Sequence, residues 1–537
     1  MGTRNNNPTN GHFWTRVRGK LWPGLGGIIA AGSLFAVAQL LAAFVGPRSS
    51  PLTAVGAAFI DFTPAWLKNF AIDTFGTNDK AVLLFSMMIV VVILAAVAGV
   101  FAVKRLVIGA GMVVAFASVM GTCIITRAGA MLTDLLPLLV GTVVGLAVLR
   151  YLIRALSAKI STTSNSAGTP KIQAEGAAVL QPSRRTFFVR SAMVASAAVV
   201  VGFGGNLLAT ARNAARQVRD ALKLPAAKRA AQAVPAGVQA PVKGVTPFVT
   251  PNADFYRIDT ALVVPELDPS TWELRVHGMV ENEFTMTFDE LLATDLVESY
   301  ATLTCVSNVV GGNLAGNAKW LGYPLREVLA RAKPKDGADM VLSTSSDGFS
   351  ASTPLPVLQD DRDAMLAVGM NGEPLPLEHG FPVRMVVPGL YGFVSATKWV
   401  VDLEVTTFAE KEGYWTSRGW SDHGPIKTAA RVEVPKALGR VPAGKVGMGG
   451  TAWAQRRGIS KVEVQLDGGT WETATLAAEL SVDTWRQWSY QWDGAESGSH
   501  NVRVRAYAAD GTLQEEKQAP PQPDGSSGWH QITFTVE

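Results

Sequence analysis

Five apolar blocks, each near the ~20 residues a helix needs to cross a bilayer, decide what the N-terminal part of this chain can fold into. They are Leu25–Val45, Ala81–Val103, Leu106–Ile125, Leu132–Leu149 and Phe187–Leu208. Hydrocarbon offers no hydrogen-bond partners, so a chain crossing it must satisfy its own N–H and C=O groups, as a helix does. The first four blocks are rich in Leu, Val and Ala and carry no charge near their centres. Core helices of a large soluble protein are the competing reading. Against it stands a hydrophobic content of 48% with mean hydropathy +0.19, high for a soluble chain and concentrated in these blocks. Past Leu208 no comparable block follows, and the pattern becomes that of ordinary folded domains.

Positive charges predict an orientation. Arg4, Arg16, Arg18 and Lys20 precede the first block, Lys104-Arg105 join the second to the third, and Arg150, Arg154 and Lys159 follow the fourth. All fall on one side if residues 1–20 form a cytoplasmic tail. Segment 46–80 is then outside, with Trp66, Phe70 and Phe75 marking an interfacial turn of helix. Five spans put everything after Leu208 on the extracytoplasmic side of the cell membrane. Arg212, Arg216 and Arg219 oppose that placement. Ser183-Arg184-Arg185-Thr186-Phe187-Phe188 before a weakly hydrophobic span has the pattern of an internal twin-arginine export signal, a route for folded domains. Two further positive-inside arginines are the alternative. Residues 210–244, rich in Ala, Arg, Lys, Gln and Pro, read as a juxtamembrane helix and linker.

Beyond residue 244 the pattern is mixed. Trp272–Val276 and Val383–Val387 alternate as strands do, and Phe288–Thr294 and Leu325–Ala332 read as short helices. From about Val432, strand-like runs at Ser460–Leu466, Trp488–Trp492, Asn501–Tyr507 and Gln531–Val536 are separated by Asp467-Gly468-Gly469 and Asp510-Gly511 turns. That spacing predicts a β-sandwich.

The chain has two cysteines, Cys123 in the third block and Cys305. Cys123 reads as an inert packing residue. Cys305, in Thr302-Leu-Thr-Cys-Val-Ser-Asn308 with Gly311, Gly312, Gly316 and Trp320 after it, has no partner in its own domain. It is a bland buried residue, a reactive thiolate or a metal ligand. Three further motifs stand beside it: Phe248–Arg257 (FVTPNADFYR), Ser345–Ser352 (SSDGFSAS) and Leu377–Gly392 (LEHGFPVRMVVPGLYG), the last closing on Lys398-Trp399. In this order the four motifs resemble the sulfite oxidase family of molybdopterin-dependent oxidoreductases. The resemblance runs from about residue 245 to the end, includes Gly458–Gly469 and Trp485…Trp488, and leaves the membrane region outside.

Together with the apolar blocks, it implies a multi-domain chain. A five-span α-helical membrane region (21–209) is followed by the 210–244 linker. An α+β molybdopterin domain (245–425) comes next, then an immunoglobulin-like β-sandwich (426–537) that serves as a dimerisation module. By the same resemblance Cys305 ligates molybdenum. Asn252, Tyr256, Arg257, Asn308, Asp347, His379, Arg384, Ser395 and Lys398 hold the pterin and its phosphate, and Trp420 and Arg418 border the substrate. The residue types suit this: a soft thiolate for the metal, and a bidentate guanidinium and an ammonium for phosphate. Taken singly, His379 as a core histidine and Arg384 as a structural ion pair remain the bland readings.

Sulfite oxidases carry arginines where this chain aligns Pro251 and Val309-Val310, and a tyrosine where it aligns Trp420. Losing two arginines removes charge-assisted binding of an oxyanion. With Tyr414 and Trp420 the mouth reads as apolar and aromatic, and a sulfoxide, N-oxide or other small substrate of oxygen-atom transfer is expected. The alternatives are a sulfite dehydrogenase and a non-catalytic binding or sensory membrane module. All six histidines (12, 277, 379, 423, 500 and 530) lie outside the five blocks, so a bis-histidine haem is not expected there. Nor is an iron–sulfur cluster, flavin or NAD site expected. Electrons then pass to or from a separate protein, a cytochrome c or haem-bearing membrane subunit. No nucleic-acid partner is expected.

Overall fold

Apolar blocks too long for a small core become helices, and the alternating runs after them become sheets. A computed structural model of the chain describes residues 9–45, 49–63, 67, 74, 79–126, 131–157, 214–261 and 263–537. It divides into two units, Met1–Asn213 with Ala261–Val263, and Ala214–Thr260 with Val264–Glu537.

The first unit contains helices α1 (Thr9–Val45), α2 (Pro51–Phe62), α3 (Asp79–Lys104), α4 (Leu106–Ile125) and α5 (Leu136–Ser157). Among the described residues, Leu21–Val45, Val82–Lys104, Leu106–Ile125 and Leu132–Arg154 are long and apolar enough to cross a membrane. The expected fifth span, the twin-arginine motif before it and Trp66, Phe70 and Phe75 lie outside the described residues. Part of the expected tail is helical, because α1 begins at Thr9. Lipid tails give helices no hydrophobic reason to associate, so contact relies on small residues that let backbones approach. A Cβ placed on Gly27 of α1 would stand 2.0 Å from the Ala95 carbonyl oxygen of α3, and one on Gly99 would stand 2.1 Å from that of Pro23. On α5, Gly141 approaches the Leu34 carbonyl in the same way, at 2.6 Å.

The second unit opens with helix α6 (Ala214–Ala221). The stretch expected as a linker is docked on this unit instead. Arg219 donates to the carbonyls of Leu375 and Pro374, Lys228 N–H donates to Leu296 O at 2.8 Å, and Arg229 bridges to Val297. Leu222, Leu224 and Ala227 pack against the core. These apolar residues are too thinly spaced to show in a composition.

Ten strands build two sheets. One has the order β2 (Phe284–Thr287), β1 (Glu273–Gly278), β10 (Val400–Thr406), β5 (Met340–Ser345) and β6 (Ser350–Pro354), with β1 and β10 parallel. The other runs β3 (Val297–Thr304), β4 (Ala315–Pro324), β7 (Met365–Met370) and β8 (Glu373–Pro374), with β9 (Arg384–Val386) also on β7. Short helices α7 (Phe288–Leu292), α8 (Leu325–Ala332) and α9 (Leu355–Gln359) connect them. Helix α7 is fixed by a capping box in which Thr287 and Glu290 each bind the other's backbone N–H.

The C-terminal region is two sheets around one apolar core. The first has the order β11 (Ala429–Val434), β13 (Gly444–Trp453), β17 (Arg486–Ala495) and β16 (Thr475–Leu476). The second runs β12 (Arg440–Val441), β19 (His530–Val536), β18 (Gly498–Ala508), β14 (Ile459–Leu466) and β15 (Trp471–Thr473). Met448, Val462, Trp488, Val504 and Phe534 fill the space between.

Candidate functional site

Strand β3 pairs with β4 down to Thr304–Ala315, and Cys305 is the first residue beyond that pair. Its N–H donates to Leu314 O at 2.9 Å, closing a loop from Cys305 to Leu314. Asn308 braces the loop from within: its N–H donates to Cys305 O, and its Oδ1 accepts from Leu314 N–H at 2.9 Å. The sandwich braces it from behind. Arg431, ion-paired with Glu433 at 2.7 Å, donates to Gly312 O at 2.8 Å, and Ser526 Oγ donates to Asn308 O at 2.6 Å.

Cys305 is 9% exposed and opens onto a cavity of about 130 Å³. Burial pushes its thiol up, partly offset by hydrogen bonds from Ser307 and by the charge of Lys398. Each wall of the cavity comes from a different element. The turn between β5 and β6 supplies Asp347 and Phe349. The turn Leu377–His379 supplies His379, β9 begins with Arg384, and Lys398 and Trp399 lead into β10. Tyr256 enters from the segment after Asn252–Asp254, stacked on Phe255 at 5.3 Å. Gly380 lets the wall close. Its φ is +112°, and a Cβ there would stand 3.0 Å from Arg384 Cβ and 3.1 Å from Lys398 Cβ.

The buried charges of the lining are mainly cationic. Arg384, 4% exposed, donates to His379 O at 3.1 Å and Met385 O at 3.3 Å, and no carboxylate pairs with it among the described residues. Burial lowers it to about 10. Lys398 is lowered to about 8, by burial against the opposing pull of Asp259. His379 is lowered to about 4 by burial and by its two cationic neighbours, so it is neutral at pH 7. Its Nε2 stands 3.3 Å from Asn252 O. Burial also raises the Tyr256 hydroxyl. Another part of the lining is aromatic. Phe393 and Trp420 lie 5.9 Å apart, Trp420 and Trp415 6.1 Å, and all three line the cavity with Phe349.

Thus Cys305, Tyr256, Asp347, His379, Arg384, Lys398 and Trp420 share one cavity, while five other candidates lie off its wall. Asn252 is tied to Asn371 and Glu373. Arg257 pairs with Asp259, Asn308 braces the cysteine loop, and Ser395 Oγ donates to Tyr391 O at 2.9 Å. Arg418 lies 3.7 Å over the Tyr414 ring and donates to the Tyr414 carbonyl. Val309 and Val310, expected at the mouth, line a separate small pocket behind the cysteine loop. Sequence reasoning missed Asp259, Ser307, Phe393 and Trp415. Ser307 lies in the cysteine motif, where a serine carries no distinctive signal, and only the fold brings Asp259, Phe393 and Trp415 to the cavity.

This donor set fits a molybdenum–pterin group: a buried soft thiol, a buried guanidinium without an acidic partner, an ammonium and a neutral imidazole. Residues 261–415 match the family described as "Oxidoreductase molybdopterin binding domain". Mouse (Mus musculus) mitochondrial sulfite oxidase is 28% identical over 342 residues, covering 54% of this chain and 62% of that protein. The chain thus matches less than two thirds of that relative's length. An uncharacterized oxidoreductase, YuiH, from Bacillus subtilis (strain 168) is 32% identical over 160 residues, 29% of this chain and 76% of that protein. The crystal structure of the sulfane dehydrogenase SoxCD from Paracoccus pantotrophus is similar with TM-score 0.48 at 22% identity, covering 57% of this chain and 90% of that one. On its motifs, its donor set, the matched family and its sequence relatives, the chain belongs to the sulfite oxidase family of molybdopterin-dependent oxidoreductases.

Proposed function

We propose that the protein is a membrane-anchored oxidoreductase that transfers an oxygen atom to or from a small organic substrate, a sulfoxide or N-oxide, at a molybdenum held by Cys305. The aromatic part of the cavity lining carries this reading. Phe349, Phe393, Trp415 and Trp420 offer apolar faces, and the buried cations Arg384 and Lys398 in the same lining are taken by the cofactor's phosphate. Arg418, the remaining candidate for an oxyanion, is engaged on Tyr414. A neutral substrate needs no charge partner there, whereas an oxyanion loses most of its affinity without one.

When bound, the molybdenum–pterin group supplies a two-electron redox centre able to exchange an oxygen atom with substrate. Cys305 anchors the metal, and the brace of Asn308 and Arg431 behind the loop fixes where its sulfur points. Arg384 and Lys398 hold the phosphate, with His379 as neutral donor between them. Asp347 accepts from the pterin ring and Tyr256 closes the pocket. Asn252, Arg257 and Ser395 act one layer out, orienting His379, Asp259 and the turn around Tyr391. Trp415 and Trp420 exclude water and border the substrate.

Electrons pass to or from a separate carrier, a cytochrome c or haem-bearing membrane subunit. The four apolar helices support the anchor. The positive charges at their ends keep residues 1–20 and the segment after the fourth helix inside. A fifth span at Phe187–Leu208 then carries the catalytic domain to the outer side of the cell membrane. The sandwich, immunoglobulin-like in strand pattern, is a natural surface for a homodimer.

The purified full-length protein is expected to carry molybdenum and pterin in equal amount to the chain. Cys305→Ser should lose the thiolate-to-molybdenum optical band. A screen with reduced dyes should then show turnover of sulfoxides or N-oxides. Sulfite oxidation, named for the mouse relative, is the second reading, and sulfite-dependent reduction of cytochrome c without organic turnover would put it first. A chain free of molybdenum from a cofactor-competent host would sink both.

A further inference from the structure

The two buried cations of the cavity differ in one respect. Arg384 is held by carbonyl oxygens alone, whereas Lys398 is held by a carboxylate. The Lys398 ammonium donates to Asp259 Oδ2 at 2.9 Å and to Glu378 O at 2.9 Å. The same Asp259 oxygen accepts from Arg257 Nε at 2.9 Å. One oxygen thus bridges a cation in the cavity and one toward solvent: the Lys398 side chain is 10% exposed and that of Arg257 39%. Asp259 itself is 5% exposed and lines the cavity.

A buried carboxylate is a fixed negative charge, and it stands on the cation best placed for an anion. An incoming phosphate and Asp259 cannot both take Lys398 without two like charges meeting where water screens them poorly. A lysine without its carboxylate would in turn be an uncompensated buried charge, which is strongly destabilising. Arg384 has no such occupant and is open to a phosphate from the start.

We propose that Asp259 stands in for the cofactor's terminal phosphate: it neutralises Lys398 before the cofactor binds and gives it up when the phosphate arrives. The proposal rests on the reading of Arg384 and Lys398 as the phosphate site. The phosphate lands first on Arg384. Asp259 then swings about its Cα–Cβ bond, keeps Arg257 and releases Lys398. Because its one bridging oxygen already touches Arg257, the carboxylate is never left without a cation. The exchange swaps one anion for another on Lys398, so that ammonium is never without an anionic partner.

The test uses full-length protein made in a host without cofactor synthesis, with inorganic phosphate as the probe and calorimetry as the readout. A stand-in competes with phosphate, so Asp259→Asn should bind it about tenfold more tightly than the parent, the order expected when a close charge pair no longer has to be broken. Lys398→Met should remove that gain. Equal or weaker binding by Asp259→Asn, with Lys398→Met and Arg384→Met still impairing it, would mean that Asp259 merely positions Lys398, and overturns the proposal alone. Indifference of binding to both Lys398→Met and Arg384→Met overturns the phosphate site itself. Amide exchange on the parent protein needs no variant to fold: added phosphate should loosen residues 256–260, and unchanged protection there would count against any release.

Discussion

At the residue scale, what could be read from the sequence is what carries unusual chemistry in an unusual place. A lone thiol in a glycine-rich loop and a His, Arg and Lys within twenty residues stand out in any sequence, and the fold brings Cys305, His379, Arg384 and Lys398 to one cavity. Asp259 and Ser307 do not stand out, because aspartate and serine are common; Ser307 acts on the thiol two residues before it, whereas the role of Asp259 depends on Lys398, far along the chain. Glycines lie between these cases. Gly311 has φ +75°, and a Cβ there would stand 2.1 Å from His530 Nε2 across the seam with the sandwich. Gly311→Ala therefore combines a left-handed backbone with a clash against the half-buried His530 ring. It should cost about 2 kcal/mol or more, seen as a lower thermal midpoint and weaker retention of molybdenum. Trimming the ring in Gly311→Ala/His530→Ala should recover the steric part. A double variant no more stable than Gly311→Ala would place the whole cost in the backbone.

At the element scale, the regular parts were the readable ones. The runs expected as strands at Ser460–Leu466, Trp488–Trp492, Asn501–Tyr507 and Gln531–Val536 fall within β14, β17, β18 and β19. The short helix expected at Leu325–Ala332 has those bounds. Alternation and amphipathic spacing are local signals, so a local reading finds them. What joins the elements is not local. Thr302, on β3, is fully buried; its hydroxyl donates to Asn317 Oδ1 at 3.1 Å and accepts from the Trp485 N–H of the sandwich at 2.8 Å. Its carbonyl accepts from Gln455, and its N–H donates to Asp483 O. One threonine three residues before Cys305 thus ties the β3–β4 sheet to the sandwich. Thr302→Val keeps the shape and removes the hydroxyl, leaving a buried donor and acceptor unpaired at a cost of about 1–3 kcal/mol. The Trp485 amide should exchange faster with solvent and the thermal midpoint should fall, with Thr302→Ser restoring both. Unchanged exchange at Trp485 would show that another group takes over the bond.

At the scale of the whole second unit, the cavity and the seam behind it share one electrostatic property. His379 in the cavity and His530 at the seam are each lowered to about 4, His379 by burial and its cationic neighbours, His530 by burial and Arg431. His530 uses its ring as an acceptor, with Nδ1 taking the Val432 N–H at 3.0 Å, which is possible only while that nitrogen is unprotonated. Between pH 6.5 and about 4 the unfolded chain binds protons at both positions that the folded protein refuses. Stability therefore falls as pH drops through that window, by up to ~1.4 kcal/mol per pH unit for each histidine. His500, raised by Asp467, has the opposite sign: it favours the folded state as pH falls through the free-histidine range and offsets part of the loss near pH 6.5. Neutral or mildly alkaline solution should thus be the stable range, and cofactor loss on acidification should precede global unfolding, because His379 lies in the cavity itself. Thermal midpoints of the full-length protein from pH 7.5 down to 5 should drop steadily. His530→Gln, whose amide oxygen can still accept from Val432, should flatten part of that fall, and His379→Gln the part that accompanies release of molybdenum. A parent protein whose midpoint is level across this range would mean that neither ring is held neutral in the fold.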